Sequence, residues 1–157
     1  MKKHIISVLV ENHFGVLSRI SSLFSARAYN INSLTVGETE NKNISRMTIV
    51  VTGDDKVLEQ VIKQLNKLVD VIKVKDITSE SFIDRELLLI KVSIPSDKRS
   101  ELLETINIFR GKMVKMMKNY ITIELTGDTE KIDSFINFVM PYGIKELIRS
   151  GKIALKS

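Results

Sequence analysis

The chain has 157 residues, of which 43% are hydrophobic and 27% are charged, as in ordinary globular proteins. It contains no cysteine, which excludes disulfide bonds, thiolate nucleophiles, iron–sulfur clusters and cysteine-ligated zinc sites. The net charge is +5, but the lysines are scattered singly among acidic residues, and this distribution favours a mildly basic, solvated surface over a nucleic-acid interface.

The first half of the sequence predicts six elements in the order βαββαβ. They are a strand at 4–10, a helix at 15–28, strands at 32–39 and 45–52, a helix at 55–68 and a strand at 70–77. Each helix has one apolar face and the strands alternate, as expected of a sheet that is covered by helices on one face only. The first apolar run meets Glu11 too early to span a membrane, so we expect a cytoplasmic protein without membrane association.

The second half of the sequence repeats this order. Strands are predicted at 86–94, 112–118, 120–126 and 144–149, and helices at 97–110 and 129–140. The stretch VTGDDKVLEQVIKQL at 51–65 aligns with LTGDTEKIDSFINFV at 125–139, each a strand, a Thr-Gly-Asp turn and an apolar helix. The sequence therefore predicts an α+β fold of two tandem ferredoxin-like βαββαβ domains, at 1–78 and 79–157, with a linker near 78–85.

Neither an active site nor a metal site is predicted. The two histidines are His4, near the chain end, and His13, in the first turn, and they are too few for a Ser-His-Asp triad or a histidine-rich metal site. Neither GxGxxG nor GxxxxGK occurs, which disfavours nucleotide binding. RNA-recognition domains share the βαββαβ order but stack bases on aromatic side chains, which the strands at 4–10 and 45–52 lack.

The turn between the first strand and the first helix is the strongest candidate for a binding site. In ENHFGVL, the N–H groups of Gly15, Val16 and Leu17 begin a helix and lack intrahelical acceptors, so a ligand carboxylate fits there. Gly15 allows close approach to the backbone, and Asn12 offers an amide. The alternative is that Asn12 caps the helix and Gly15 only makes the turn.

Three motifs carry a resemblance to a known family. ENHFGVLSR, YNINSL and SRMTI together resemble the N-terminal ACT domain of the small subunit of acetolactate synthase, also called acetohydroxyacid synthase. RELLLIKV, IFRGK and RSGKIAL are similar to the C-terminal domain of that family, so the resemblance spans nearly the whole chain. Ala28 is a departure, because the family commonly has glycine before the tyrosine that is Tyr29 here.

The resemblance implies a regulatory subunit without catalytic residues or cofactors of its own. Such subunits associate with an acetolactate synthase catalytic subunit, which carries thiamine diphosphate, Mg and FAD. They raise its activity and confer allosteric feedback inhibition of branched-chain amino acid biosynthesis by valine or another branched-chain amino acid. A free-standing ACT-domain amino-acid sensor that regulates a different enzyme is the alternative.

By the same resemblance, the effector site lies between two paired ACT domains and uses residues from two motifs. These are Asn12, Gly15, Val16 and Leu17 from the first turn and Asn30 and Ile31 from YNI. The sequence also predicts a homodimer, because a sheet with one uncovered face leaves surface for a symmetric partner, with Leu9, Leu34 and Val36 as outward apolar residues.

Overall fold

The structure is a computed structural model that describes residues 2–27 and 29–157. Ala28, where the sequence departs from the resembled family, lies outside the described residues. The first half contains β1 (Lys2–Glu11), α1 (Val16–Ala26), β2 (Asn30–Glu38), β3 (Ile44–Gly53), α2 (Asp55–Asn66) and β4 (Val71–Asp76). The second half contains β5 (Phe82–Ser93), α3 (Arg99–Ile108), β6 (Lys112–Met116), β7 (Tyr120–Gly127), α4 (Thr129–Val139), a 3₁₀ turn (Met140–Tyr142), β8 (Ile144–Arg149) and β9 (Ile153–Lys156).

Both halves form the predicted α+β ferredoxin-like arrangement. The strand order is β2-β3-β1-β4 in the first sheet, and β6-β7-β5-β8 is the corresponding path in the second. All strand pairs along these paths are antiparallel. The prediction of two βαββαβ units is therefore confirmed. Several predicted ends were wrong by a few residues: α1, for example, begins at Val16 and ends at Ala26 rather than spanning 15–28.

Each unit has its own core between its sheet and its helices. In the first, the inward positions of β1 and β3 pack on the apolar faces of α1 and α2, and the fully buried members are Ile6, Val8, Ile20, Phe24, Ile49, Val51, Val61 and Leu65. In the second, the corresponding members are Leu88, Val92, Ile121, Ile123, Ile132, Phe135 and Val139. Leu34 packs against the first core, so the prediction that it points outward was wrong.

The sequence did not predict β9. Residues Lys152–Ser157 belong to the first compact unit, together with the chain up to Ile83, whereas Asp84–Gly151 forms the second. Ala154 packs with Ile5, Val50 and Ile77 in a separate small cluster. The face of the first sheet that lacks helices is therefore partly covered by residues near the chain end, which corrects the expectation that only one face is covered.

Candidate functional site

The turn that joins β1 to α1 is fixed by backbone hydrogen bonds to two neighbouring segments. The N–H of Glu11 donates to the carbonyl of Asp70 at 2.8 Å, and the N–H of Asn12 donates to the carbonyl of Asn43 at 2.8 Å. The side-chain amide of Asn12 donates to the carbonyl of Lys42 at 3.1 Å. Asn12 therefore holds the turn against the β2–β3 connection. Its side chain does not cap α1, which was the alternative role considered for Asn12 from the sequence.

The N-terminus of α1 carries no side-chain cap. Gly15 occupies the cap position with a φ of 79°, a left-handed conformation that favours glycine, and the first turn contains no acidic residue. The first backbone bond of the helix runs from the N–H of Arg19 to the carbonyl of Gly15 at 3.0 Å. The N–H groups of the first helical turn lie before that bond and have no acceptor within the helix. These groups and the positive end of the helix dipole are therefore suited to binding an anion.

The side chains around this turn are mostly exposed. Phe14 is fully exposed and Leu17 is partly exposed, whereas Val16 is buried in the core of the first unit. Val16 can therefore contribute only its backbone N–H to a ligand, while Leu17 also offers an apolar side chain. This division between the two residues follows from helix geometry, because adjacent positions point about 100° apart.

Asn30 and Ile31 do not lie beside this turn in the same chain. Asn30 begins β2 opposite Thr52, which pairs in turn with Lys3 near the start of β1. The turn follows Glu11 at the other end of β1, eight residues away, which is roughly 26 Å at about 3.3 Å per residue. One chain therefore does not bring the two predicted halves of the effector site together.

The start of β2 is held by Tyr29. Its ring packs edge-on against Phe24, and its hydroxyl donates to the carbonyl of Asp54. Burial raises the pKa of the Tyr29 hydroxyl above its ordinary value. Asn30 is exposed and Ile31 is half-buried against the core, so a rigid anchor presents one polar and one apolar side chain at this edge of the sheet.

Titratable side chains surround the turn between β1 and α1. His13 Nε2 lies 3.0 Å from a carboxylate oxygen of Glu11, and Arg19 pairs with the carboxylate of Asp70. The donor atoms of Glu11, His13 and Asp70 lie within 4.8 Å of one another, close enough to be considered for a metal ion. The Arg19 guanidinium already neutralises Asp70, so one of these three carboxylate and imidazole groups is engaged in an ion pair beside the helix start.

Two family models match this chain. The AHAS small subunit-like ACT domain matches residues 6–73, which include the first turn and the start of β2, and the small subunit of acetolactate synthase matches residues 85–157. The chain belongs to the acetolactate synthase small-subunit family. The resemblance drawn from the sequence motifs is thereby confirmed.

Members of the acetolactate synthase small-subunit family from several organisms are similar to this chain. A probable acetolactate synthase small subunit from Archaeoglobus fulgidus is 57% identical over 153 residues, covering 98% of this chain and 96% of that protein. The acetolactate synthase small subunit from Aquifex aeolicus is 52% identical over 157 residues, covering 99% of this chain and 82% of that protein.

A solved structure from the same family has the same fold over its full length. The crystal structure of the Thermotoga maritima acetolactate synthase small subunit matches with a TM-score of 0.90 at 40% identity, covering 100% of this chain and 98% of that one. Among the residues that the structure describes here, no helix is both long and apolar enough to cross a membrane.

Arg19 lies beside the turn, and the sequence analysis gave it no role. A β-carbon added at Gly15 would lie 3.1 Å from Arg19 Nη1, so the guanidinium folds back over the helix start. It lies on α1 one turn beyond Gly15, within the GVLSR part of the motif shared with the acetolactate synthase small-subunit family. Its i+4 spacing from a helix-start glycine was the signal that could have identified it.

Proposed function

We propose that this chain is a regulatory subunit that binds and activates the catalytic subunit of acetolactate synthase and makes it sensitive to feedback inhibition by a branched-chain amino acid, with valine as the first effector to test. The observation that carries the proposal is the uncapped start of α1 at Gly15. A carboxylate there accepts hydrogen bonds from the backbone and lies near the Arg19 guanidinium.

The chain acts in the cytoplasm and supplies no catalytic group in this proposal. Thiamine diphosphate, Mg and FAD belong to the catalytic subunit, and the part played by this chain is to shift the activity of its partner. Allosteric coupling of this kind is typically worth about 1–3 kcal/mol, so loss of one charge-assisted hydrogen bond to the effector is enough to remove most of the inhibition.

A homodimer completes the effector site. Because Asn30 and Ile31 lie roughly 26 Å along the sheet from the turn of the same chain, a small amino acid cannot reach both. In the proposed site, the carboxylate meets the helix start of one protomer while Asn30 of its partner binds the polar end. Leu17 and Ile31 then offer apolar surface to a short branched side chain.

The first experiment tests the effector site in the reconstituted enzyme. Gly15→Asp places a carboxylate where the effector carboxylate binds, and Asn30→Ala removes a polar contact. Each variant should weaken valine binding by roughly ten- to a hundred-fold, from about 1.5–3 kcal/mol per charge-assisted hydrogen bond, while activation of the catalytic subunit is retained. Calorimetry and inhibition curves measure the two effects separately.

Matched controls separate a local effect from a general one. Gln60→Glu adds a negative charge on the exposed surface of α2, and Asn32→Ala removes an amide two residues from Asn30, one that accepts a hydrogen bond from Thr52. Both should keep wild-type sensitivity to valine. Wild-type sensitivity in Gly15→Asp and Asn30→Ala would instead locate the effector site elsewhere.

The runner-up function is a free-standing ACT-domain sensor that acts on another enzyme. The two proposals differ in their partner. Copurification with an acetolactate synthase catalytic subunit, and a rise in acetolactate formation when the chain is added, supports the regulatory subunit. No rise at saturating amounts of the chain contradicts it.

A further inference from the structure

A cleft of about 350 Å³ opens in the first unit beside the N-terminus of α2. Its lining includes Lys2 and His4 from β1, Asp55 and Glu59 from α2, and Asp76 and Thr78 at the end of β4. His4 lies near the start of β1, whereas the proposed effector turn follows the end of that strand. The cleft is therefore separate from the effector turn.

His4 is buried at the base of this cleft without a hydrogen bond. Its relative exposure is 2%, and neither ring nitrogen has a hydrogen-bond partner among the described residues. Its Nε2 atom is 3.2 Å from Asp55 Oδ1, and its Nδ1 atom is 3.8 Å from Asp76 Oδ2. A buried polar group without a partner is costly, which points to a ligand for the imidazole.

Asp76 is held in place beside the imidazole. Its Oδ1 atom accepts hydrogen bonds from the N–H of Thr78 at 3.0 Å and from the Thr78 hydroxyl, whose oxygen accepts from the N–H of Ile5 at 2.9 Å. The closer carboxylate to the ring is Asp55, whose Oδ1 atom lies 3.2 Å from Nε2, whereas Asp76 Oδ2 lies 3.8 Å from Nδ1, beyond hydrogen-bond distance. With Nε2 unprotonated, its lone pair and Asp55 Oδ1 are two electron-rich atoms 3.2 Å apart, and a cation between them, either a proton or a metal ion, removes their repulsion.

We propose that this cleft binds a divalent transition metal of the Zn²⁺ class through His4 Nε2 and Asp55 Oδ1. Ligand distances of about 2.0–2.2 Å place two such donors roughly 2.9–3.4 Å apart for tetrahedral or octahedral angles, in agreement with the observed 3.2 Å. Asp76 lies on the other side of the imidazole, 3.8 Å from Nδ1, and Glu59, one helical turn after Asp55, also lines the cleft.

Charge and burial favour this cleft over the group of Glu11, His13 and Asp70. There, Arg19 already pairs with Asp70, and the His13 side chain is 59% exposed and paired with Glu11. In the His4 cleft, Lys2 and Lys56 are exposed, and neither imidazole nitrogen has a hydrogen-bond partner among the described residues. The sequence analysis expected no metal site because it found too few histidines, and it placed His4 near a chain end without foreseeing its burial beside two carboxylates.

The test measures Zn²⁺ binding by the full chain with calorimetry and thermal unfolding. Wild type should bind Zn²⁺ and unfold at a higher temperature when the metal is present. Asp55→Asn should lose most of this binding, and Asp76→Asn should weaken it by roughly ten- to a hundred-fold, as for outer-shell partners of metal ligands. The Asp55 side chain is 70% exposed and the helix cap is Asp54, so Asp55→Asn preserves the fold even where His4→Gln does not.

His13→Gln is the matched control, because it removes the histidine of the other group. Binding that survives in His13→Gln and is lost in Asp55→Asn supports the proposal. Binding that is lost in His13→Gln and kept in Asp55→Asn overturns it, as does a wild-type chain that neither binds Zn²⁺ nor gains thermal stability from it.

Discussion

The ring of Tyr29 lies against Gly53 so closely that a β-carbon at position 53 would come within 1.9 Å of Tyr29 Cε1. Gly53 ends β3, and Tyr29 anchors the start of β2 through its hydrogen bond to Asp54. The Tyr29 ring is buried, packs against Phe24 and is held by the hydrogen bond of its hydroxyl, so it has little room to move. A side chain at position 53 therefore displaces the anchor of β2.

We predict that Gly53→Ala destabilises the chain by about 1–3 kcal/mol, as overpacking of a filled interior does. Gly127→Ala, at the aligned position of the second unit, should cost less, because the added atom meets the flexible side chain of Lys131. Gly37→Ala meets nothing within 4 Å and should leave stability close to that of wild type. Denaturant unfolding of the three variants measures this order, and an equal effect at Gly53 and Gly37 would contradict it.

A second prediction concerns Glu86, whose side chain is 5% exposed and pairs with Arg149 Nε at 2.6 Å. Hydrogen bonding to Glu86 raises the pKa of the Arg149 guanidinium, which also binds Asp133 at 2.7 Å. Arg149→Met removes the charged partner of the buried Glu86 carboxylate, which keeps a hydrogen bond from the Thr129 hydroxyl at 3.3 Å, and loss of one member of a buried ion pair costs about 3–5 kcal/mol. Chemical denaturation should show a loss of this order.

The matched control for Arg149→Met is an exposed ion pair on the same sheet. Lys91 and Glu146 lie 3.6 Å apart, and the Glu146 side chain is 74% exposed. Glu146→Gln should change the free energy of unfolding by at most about 1 kcal/mol, because water screens the pair. Equal losses in both variants would mean that burial of Glu86 does not set the cost.

The third prediction tests the cover that β9 provides. Ala154 is 7% exposed and packs with Ile5, Val50 and Ile77, whereas the neighbouring Leu155 is 61% exposed. Ala154→Asp puts a charge among apolar side chains and should destabilise the first unit by about 2 kcal/mol or more. Leu155→Asp, one position along the same strand, should be tolerated. Hydrogen exchange of the β1 amides distinguishes the two variants.

The fourth prediction is a dependence on pH. The ammonium groups of Lys156 and Lys75 lie 3.1 and 3.3 Å from Glu80 Oε2, and they hold the pKa of its carboxyl below the ordinary value of 4.5. A lowered pKa in the folded state stabilises the fold above pH 4.5, and this stabilisation is lost as the pH falls through the lower folded value. Glu80→Gln should therefore show a shallower loss of stability below pH 4.5 than wild type.

Local patterns in the sequence were enough to predict most of the fold. The apolar faces of α1 and α2 and the repeated Thr-Gly-Asp turn gave the element order, because each depends on residues close together in the chain. The strand Ile153–Lys156 was missed, since four residues after Gly151 carry no clear period. Its place is set by pairing with β5 and by packing against Ile5, Val50 and Ile77, which are distant in sequence.

The same distinction applies to the candidate sites. The free N–H groups at Gly15 were predictable, because a glycine between a strand and an apolar helix is a local signal. The pairing of Arg19 with Asp70 and the burial of His4 between Asp55 and Asp76 depend on contacts between separate elements. No pattern within β1 alone distinguishes a buried histidine from an exposed one.

The return of residues Lys152–Ser157 to the first unit imposes an order on biosynthesis. Ile5, Val50 and Ile77 leave the ribosome well before Ala154, because the 68 residues of Asp84–Gly151 are made in between. At about 5–20 residues per second, that interval is roughly 3–14 s. During this time the nascent first unit lacks its last strand, and the apolar side chains that pack with Ala154 are without this cover until translation supplies β9.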